Sequence, residues 1–379
     1  MERRLFLKCM GSASAVAAAS HSELWPELLG GVQNVCAFNN GNNLSSVEAR
    51  HYKKLDEGGI ECRLCPRHCR ITDLERGYCG VRENRKDTYY TLVYGRPCSL
   101  NIDPIEKKPL YHFRPGTKAF SLATAGCNVN CKFCQNWEIS QARPEQIDSA
   151  DLPPNELVKV CKERSVPTIA YTYSEPVIFY EYMYDIAQRA HEQGVSSVMI
   201  TGGYIDKEPL AELCLQMDAI KVDLKSFRED YYRKIVNGEL GPVLDALIQI
   251  KKAGVWLEIV YLVVPTLNDS DQEFTDLARW IKGNLGCDTP IHFSRFHPQY
   301  LLRHLPSTPL ETLERAHAIC KSEGLHYVYL GNVPGHAAES TYCAGCDRVL
   351  IERRGYRIVR NDLKVGRCQH CRRLLPGVF

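Results

Sequence analysis

Three cysteines in the run Cys127-Asn128-Val129-Asn130-Cys131-Lys132-Phe133-Cys134 stand at the spacing Cys-x3-Cys-x2-Cys, just after an apolar stretch. A fully coordinated iron–sulfur cubane takes four thiolates, so three in one tight loop leave one iron open to a substrate or cosubstrate. Zinc would need a fourth ligand, and no histidine lies in the loop. Buried structural thiols are the third reading. A second group, Cys62-x2-Cys65-Pro66-x2-Cys69-x9-Cys79, supplies four thiolates. That number completes either a zinc site or an auxiliary iron–sulfur cluster. Arg63, Arg67, His68 and Arg70 stand beside it, and cationic neighbours stabilise thiolates. A third group, Cys343-x2-Cys346 and Cys368-x2-Cys371, has the paired knuckles of a zinc ribbon. These groups take eleven of the 18 cysteines. Cys9, Cys36, Cys98, Cys161, Cys214, Cys287 and Cys320 remain, and Cys161 and Cys320 fall on helical segments as packing residues.

A loop of ligands needs a rigid support. From about residue 119 short apolar strands alternate with amphipathic helices. The strand candidates are 120–123, 168–171, 198–200, 220–222, 256–260, 291–293 and 327–330. In 176–193, Tyr180, Met183, Tyr184, Ala187 and Ala190 recur at helical spacing, with Pro176 at the first helical position and Gly194 just past the end. The same helix–Gly–strand joint returns at Gly254 and Gly324. Repeated βα units predict an α/β fold with a parallel sheet, and their number suits a partial (β/α)6-type barrel. Polar residues gather at the strand ends: Thr172 to Glu175, Thr201 to Gly203, Asp223 to Lys225, Asn268 with Asp269, His292 with Ser294, and Gly331 with Asn332. Ligands of parallel α/β folds bind at the carboxyl ends of strands. Tyr171 and Tyr173 would face opposite ways on one strand, so at most one lines a pocket.

The 379 residues carry 47 basic and 45 acidic side chains. That balance argues against a wholly basic nucleic-acid binder. No apolar run reaches the ~18 residues of a membrane span. The amino end, with Arg3-Arg4 followed by Leu5-Phe6-Leu7-Lys8 and an Ala-rich stretch, is similar to a twin-arginine export signal, with Glu2 where Ser or Thr is usual. The expected organisation is a signal over 1–30, a linker over 31–58, a four-cysteine module over 59–100, the barrel over 101–335 and a ribbon-like domain over 336–379. The ribbon holds nine basic and three acidic residues in 343–379, which reads first as a solvated face.

The triad Cys127, Cys131 and Cys134, with Phe133 inside it, resembles that of the radical S-adenosylmethionine enzymes. Longer strings narrow the resemblance: Asp103 to Phe113, Gln135 to Ser140, Tyr171 to Pro176, His292 to Phe296 and Tyr329 to Pro334. Together they are similar to the AmmeMemoRadiSam system radical SAM enzymes, relatives of the pyruvate formate-lyase activating enzymes. The resemblance covers about residues 100–335. It implies that the triad holds a [4Fe–4S] cluster and that S-adenosylmethionine chelates the fourth iron. One electron then breaks a C–S bond, giving methionine and a 5′-deoxyadenosyl radical that abstracts hydrogen from a substrate. Ser174 and Glu175 stand where the superfamily usually has a Gly-Gly-Glu-like motif; they could accept from the α-amino group, although the two glycines are absent. Phe133 could pack on adenine, Asp223 and Lys225 could meet ribose or carboxylate, Thr201 and Gly202 permit close backbone approach, and His292 is a candidate pocket residue.

Two other functions compete with this reading. A glycyl-radical activator would act on a backbone glycine of a partner protein, using the terminal modules to dock. An exported zinc or disulfide binding protein would do no chemistry. Either enzyme needs a low-potential electron donor, which suits the cytoplasm, whereas the amino end suits export. The twin-arginine route, which carries folded, cofactor-loaded proteins, reconciles the two.

Overall fold

The computed structural model describes residues 44–379 except 57, so the expected export signal, Cys9, Cys36 and most of the expected linker lie outside the described residues. Six short strands come first: β1 (Val47–Glu48), β2 (Tyr52–Lys54), β3 (Ile60–Cys62), β4 (Arg70–Ile71), β5 (Arg82–Arg85) and β6 (Thr88–Thr91). They form two small antiparallel sheets, ordered β1-β6-β5 and β2-β3-β4. Cys62 ends β3 and Cys69 precedes β4, so the first three cysteines of the module sit on one hairpin.

The main sheet has eight strands: β7 (Ser99–Pro104), β8 (Lys118–Ala123), β9 (Thr168–Tyr171), β10 (Ser196–Thr201), β11 (Ala219–Asp223), β12 (Trp256–Val263), β13 (Ile291–Arg295) and β14 (Val328–Gly331). They lie in chain order, and all neighbours are parallel except the β7–β8 pair. Parallel strands are covered on both faces, which is why β9 and β10 are buried at every residue. The six larger helices are α1 (Pro154–Glu163), α2 (Tyr180–Glu192), α3 (Lys207–Cys214), α4 (Leu240–Lys252), α5 (Asp271–Asn284) and α6 (Leu310–Ser322), one in each crossover. All seven strands expected from sequence are present, each within a residue or a few of its expected bounds. The antiparallel β7 at the edge was not expected.

The expected helix over 176–193 starts as a short 3-10 turn, Pro176–Phe179, and becomes α2 at Tyr180. Tyr180, Met183, Ala187 and Ala190 are buried, while Tyr184 is half-buried. Gly194, at φ +69°, ends the joint in the left-handed region that favours glycine.

Beyond β14 lie β15 (Thr341–Tyr342), β16 (Val349–Arg354), β17 (Arg357–Asn361), β18 (Leu363–Lys364) and β19 (Arg367–Cys368), in a three-stranded and a two-stranded antiparallel sheet. A buried polar network fastens this segment to the main sheet. Glu258 of β12 is fully buried and accepts from Tyr111 N at 3.0 Å, His112 N at 2.8 Å and Trp256 Nε1 at 3.0 Å. His112 faces the Tyr329 hydroxyl at 2.6 Å and the Pro376 carbonyl at 2.7 Å. Arg353 of β16 donates to Thr341 Oγ1 at 2.7 Å and to the Tyr111 carbonyl at 2.8 Å.

Burial pushes the His112 imidazole down to about 4, against the upward pull of Glu258. Folded His112 is therefore neutral across a range where the unfolded chain takes up a proton. Its contribution is complete above the ordinary value of 6.5 and is lost as pH falls from there towards about 4. We expect the urea midpoint of the wild type to drop across that window. His112→Gln should flatten this part of the pH profile, and an unchanged slope would contradict the assignment.

Candidate functional site

The triad loop joins β8 to a single helical turn, Trp137–Ser140. Backbone bonds clamp it on several sides: Gly126 N donates to the Ile139 carbonyl at 2.9 Å, Asn130 N to Val236 at 3.1 Å and Lys132 N to Ile235 at 2.9 Å. Asn128 Nδ2 donates to the Tyr204 carbonyl at 2.7 Å. The loop is thus held by β8 and by the segment after β11, with no freedom to place its thiols elsewhere. All three thiol pairs interact electrostatically. Burial, then neighbouring negative charge from Glu175, pushes Cys127 well above the ordinary thiol value. Cys131 is pushed up to about 12 by burial, with the Lys225 ammonium pulling the other way. Thiols so placed give up their protons only to a strong cationic partner, and metal binding supplies that partner.

Gly126 fixes how close the loop lies to the four-cysteine module. Its φ is +97°, and a Cβ there would meet Val81 Cγ1 at 2.6 Å and the Cys79 carbonyl at 2.7 Å. Gly126→Ala is expected to cost about 1–3 kcal/mol in backbone strain alone. It should also lower iron occupancy on reconstitution, read by iron analysis. Wild-type stability and occupancy would show that the close approach is unimportant.

Glu175 lies at the end of β9 and caps the 3-10 turn that follows. Its carboxylate accepts from Thr201 Oγ1 at 2.5 Å, Gly202 N at 2.8 Å and Val177 N at 3.2 Å. Burial raises its carboxyl above the usual range. The structure therefore brings Glu175, Thr201 and Gly202 together, bonded to one another at the ends of β9 and β10. A carboxylate offers about four acceptor sites, so one stays open. Ser174 donates instead to the Thr124 carbonyl, at 2.8 Å.

At the end of β11 Asp223 lies between two ammonium groups. Lys225 Nζ donates to it at 3.0 Å, and Lys221 forms a very short contact with its other oxygen. Burial opposes ionisation, but Lys221 and Lys225 prevail and hold Asp223 down to about 2. Lys225 also lies over the Phe133 ring, 5.9 Å from its centroid. Phe133 is buried, with Tyr231 at 6.2 Å. Lys221 was missing from the sequence-based site. Its signal was present, since residues 221 and 223 of β11 stand at the period that faces one side of a strand.

A second ionic group lies next to this one. Lys108 donates to Asp103 at 2.6 Å, and the Tyr173 hydroxyl also bonds to Asp103. Burial lowers Lys108 to about 8, with Asp103 pulling upward. Tyr173 has φ +64°, beyond the end of β9, so strand alternation does not govern it. Tyr171 is wholly buried and faces Ser197 Oγ at 3.2 Å.

His292 belongs elsewhere. Its Nε2 lies 2.7 Å from the Glu258 carboxylate, and its ring stacks on Tyr329 at 4.9 Å, in the network that fastens the carboxyl-terminal segment. It is second in β13, far from that strand's carboxyl end, so the expected pocket role gives way to a hydrogen-bonded core histidine. Asn268, also a strand-end residue, braces the site's backbone by donating to the Lys225 carbonyl at 2.8 Å.

Among the described residues, three or more metal-ligating side chains bring their atoms within 4.8 Å of one another at two places. One is Cys343, Cys346, Cys368 and Cys371; the other is Cys287, Asp288 and His326. In the first, Cys343 and Cys371 sulfurs are 3.4 Å apart and Cys346 and Cys368 sulfurs 3.8 Å. Zinc–sulfur bonds of about 2.3 Å put tetrahedral sulfurs about 3.8 Å apart. The triad is more widely spread, as it would be around a multinuclear core.

A parallel βα sheet thus carries a three-cysteine loop at the carboxyl end of its first parallel strand. Over residues 121–280 the chain matches the Radical SAM superfamily. It is 47% identical over 326 residues to the uncharacterized protein MJ0808 of Methanocaldococcus jannaschii, covering 86% of this chain and 97% of that protein. To the pyruvate formate-lyase-activating enzyme of Clostridium pasteurianum it is 27% identical over 159 residues, 41% of this chain and 66% of that enzyme. To the GTP 3',8-cyclase of Limosilactobacillus fermentum it is 24% identical over 255 residues, 62% of this chain and 75% of that enzyme. The chain belongs to the radical SAM superfamily and is a radical SAM enzyme. That family implies a [4Fe–4S] cluster and S-adenosylmethionine. No helix among the described residues is long and apolar enough to cross a membrane.

Proposed function

We propose that Cys127, Cys131 and Cys134 hold the [4Fe–4S] cluster and that the ends of β9, β10 and β11 receive S-adenosylmethionine. The observation that carries this reading is the convergence of the triad, Glu175 and Lys225 at one end of the sheet, each within electrostatic reach of the others. When bound, cluster and cosubstrate supply a 5′-deoxyadenosyl radical for hydrogen abstraction. Around them the chain's own groups divide the work. Glu175 keeps an acceptor site for the α-amino group while fixing Thr201 and Gly202. Lys225, held charged by Asp223, balances the negative charge of the thiolates and stands ready for a carboxylate. Phe133 and the buried walls of β8 to β11 exclude water.

The longer motifs support, in this reading, an assignment to the AmmeMemoRadiSam system enzymes. A glycyl-radical activating role is the second reading, favoured by the relative named as a pyruvate formate-lyase-activating enzyme. Anaerobically reconstituted enzyme, reductant and S-adenosylmethionine should yield 5′-deoxyadenosine and methionine. Absence of a [4Fe–4S] signal by electron paramagnetic resonance would overturn both readings. A glycyl radical appearing on an added partner protein would select the second.

The carboxyl-terminal quartet fits zinc by its sulfur spacing. Purified protein is expected to carry about one zinc there. Cys371→Ser should remove it and lower thermal stability. Full zinc content in that variant would count against the site.

A further inference from the structure

The four-cysteine module has a geometry that sequence spacing did not convey. All six pairs among Cys62, Cys65, Cys69 and Cys79 interact electrostatically, so the four thiols form one group. Tyr78 N donates to Cys69 Sγ at 3.5 Å, and the backbone amides of Leu64, Arg67 and Val81 lie near enough to Cys62, Cys65 and Cys79 to favour their thiolates. Amides aimed at sulfur favour the thiolate over a packing thiol. Arg82 is buried beside Cys62 and Cys79. Its terminal nitrogens are paired with Glu181 at 2.6 and 3.1 Å, while its Nε has no partner. A buried cation with a spare donor suits a site that holds net negative charge.

Size separates the two candidate metals. No three of these four sulfurs come within 4.8 Å of one another, in contrast to the carboxyl-terminal quartet. The radical-site triad shows the same wider spread. One ion draws its sulfurs together, whereas a core of several irons and sulfides holds them apart.

Position supplies a use. The Cys79 carbonyl and Val81 press on Gly126, the residue before Cys127. Arg67 donates to the Asn128 carbonyl inside the triad loop, at 2.5 Å, and lies 3.5 Å over the Tyr78 ring. Tyr78 thus bonds to Cys69 through its amide, while its phenol lies within electrostatic reach of Cys127 and Cys131.

We propose that Cys62, Cys65, Cys69 and Cys79 hold an iron–sulfur cluster that passes single electrons to the site held by Cys127, Cys131 and Cys134. The proposal rests on the radical SAM reading of that triad. A donor protein of the iron–sulfur or reduced-flavin class gives up one electron and is oxidised. The amino-terminal cluster is reduced by it and reoxidised when the radical site takes the electron. Cleavage of the sulfonium C–S bond consumes that electron: sulfur keeps a pair as the thioether, carbon keeps the unpaired electron, and no proton moves.

The test uses the full chain, handled anaerobically. A C127A/C131A/C134A variant should retain roughly four irons with sulfide, and Mössbauer spectra should show a cluster. Retention of about two zinc and no iron–sulfur signal would overturn the proposal, one zinc being the ribbon's. If wild type and variant hold equal iron, the reading of the triad fails and the relay with it, while the amino-terminal cluster stands. If only the wild type holds iron, this one fails alone. For the electron path, Cys69→Ser is compared with wild type using either dithionite or a reduced ferredoxin. The ratio of ferredoxin-driven to dithionite-driven cleavage should fall, and an unchanged ratio would overturn the relay. Should that variant not fold, freeze-quenched wild type decides. Reduction of the amino-terminal cluster before the radical site supports the relay, and the reverse order overturns it.

Discussion

Replacing Cys127 by alanine is expected to reduce 5′-deoxyadenosine formation by at least about 100-fold, the upper range for loss of an interaction that supports a metal site. The expectation follows from how the loop is held. Gly126, Asn128, Asn130 and Lys132 are each tied by hydrogen bonds to neighbouring segments, so the loop cannot shift to offer a substitute. Cys134 already faces Ser140 Oγ at 3.3 Å, a hydroxyl and a poor replacement for a thiolate. Iron content, counted beside activity, should fall with it. Cys161→Ala is the control, because that buried thiol lies on α1 and serves packing. Cleavage at the wild-type rate in Cys127→Ala would sink the assignment of the triad.

Glu258→Ala is expected to destabilise the protein by about 3–5 kcal/mol, because it leaves several buried donors unsatisfied at about 1–3 kcal/mol each. The carboxylate accepts from two backbone amides and the Trp256 indole, and it faces His292 at 2.7 Å. Its removal strands donors from β12, β13 and the segment at residues 111–112 together. Burial raises the carboxyl, but His292 and then His112 outweigh it and keep Glu258 below its ordinary value. Urea unfolding followed by circular dichroism would measure the loss. A change below about 1 kcal/mol, the value of one ordinary hydrogen bond, would show that the network is not a unit.

These two sites differed in how legible they were. The three-cysteine loop could be singled out in the sequence because its members are local, and spacing within one loop is itself the signal. The seven parallel strands were legible because each is an apolar run buried on both faces. Strand β7 was not, since Ser99-Leu100-Asn101-Ile102-Asp103-Pro104 alternates and ends in proline, a pattern shared with exposed loops. The Glu258 network could not be read at all. Its members lie up to 264 residues apart, as with His112 and the Pro376 carbonyl, and no periodicity links them. His292 sat in a suggestive motif, but its role depended on Glu258, which reads in sequence as an ordinary polar residue.

The ties at His112 also bear on the order of synthesis. The Pro376 carbonyl meets His112, and Val378 N donates to the His112 carbonyl at 2.7 Å. These residues leave the ribosome about 240 positions after the triad. At about 5–20 residues per second, a nascent chain waits some tens of seconds with its cysteine loop made and His112 still lacking these partners. Metal delivery therefore has a window before the last contacts form, and premature termination near residue 370 would leave the triad intact on an unfinished base.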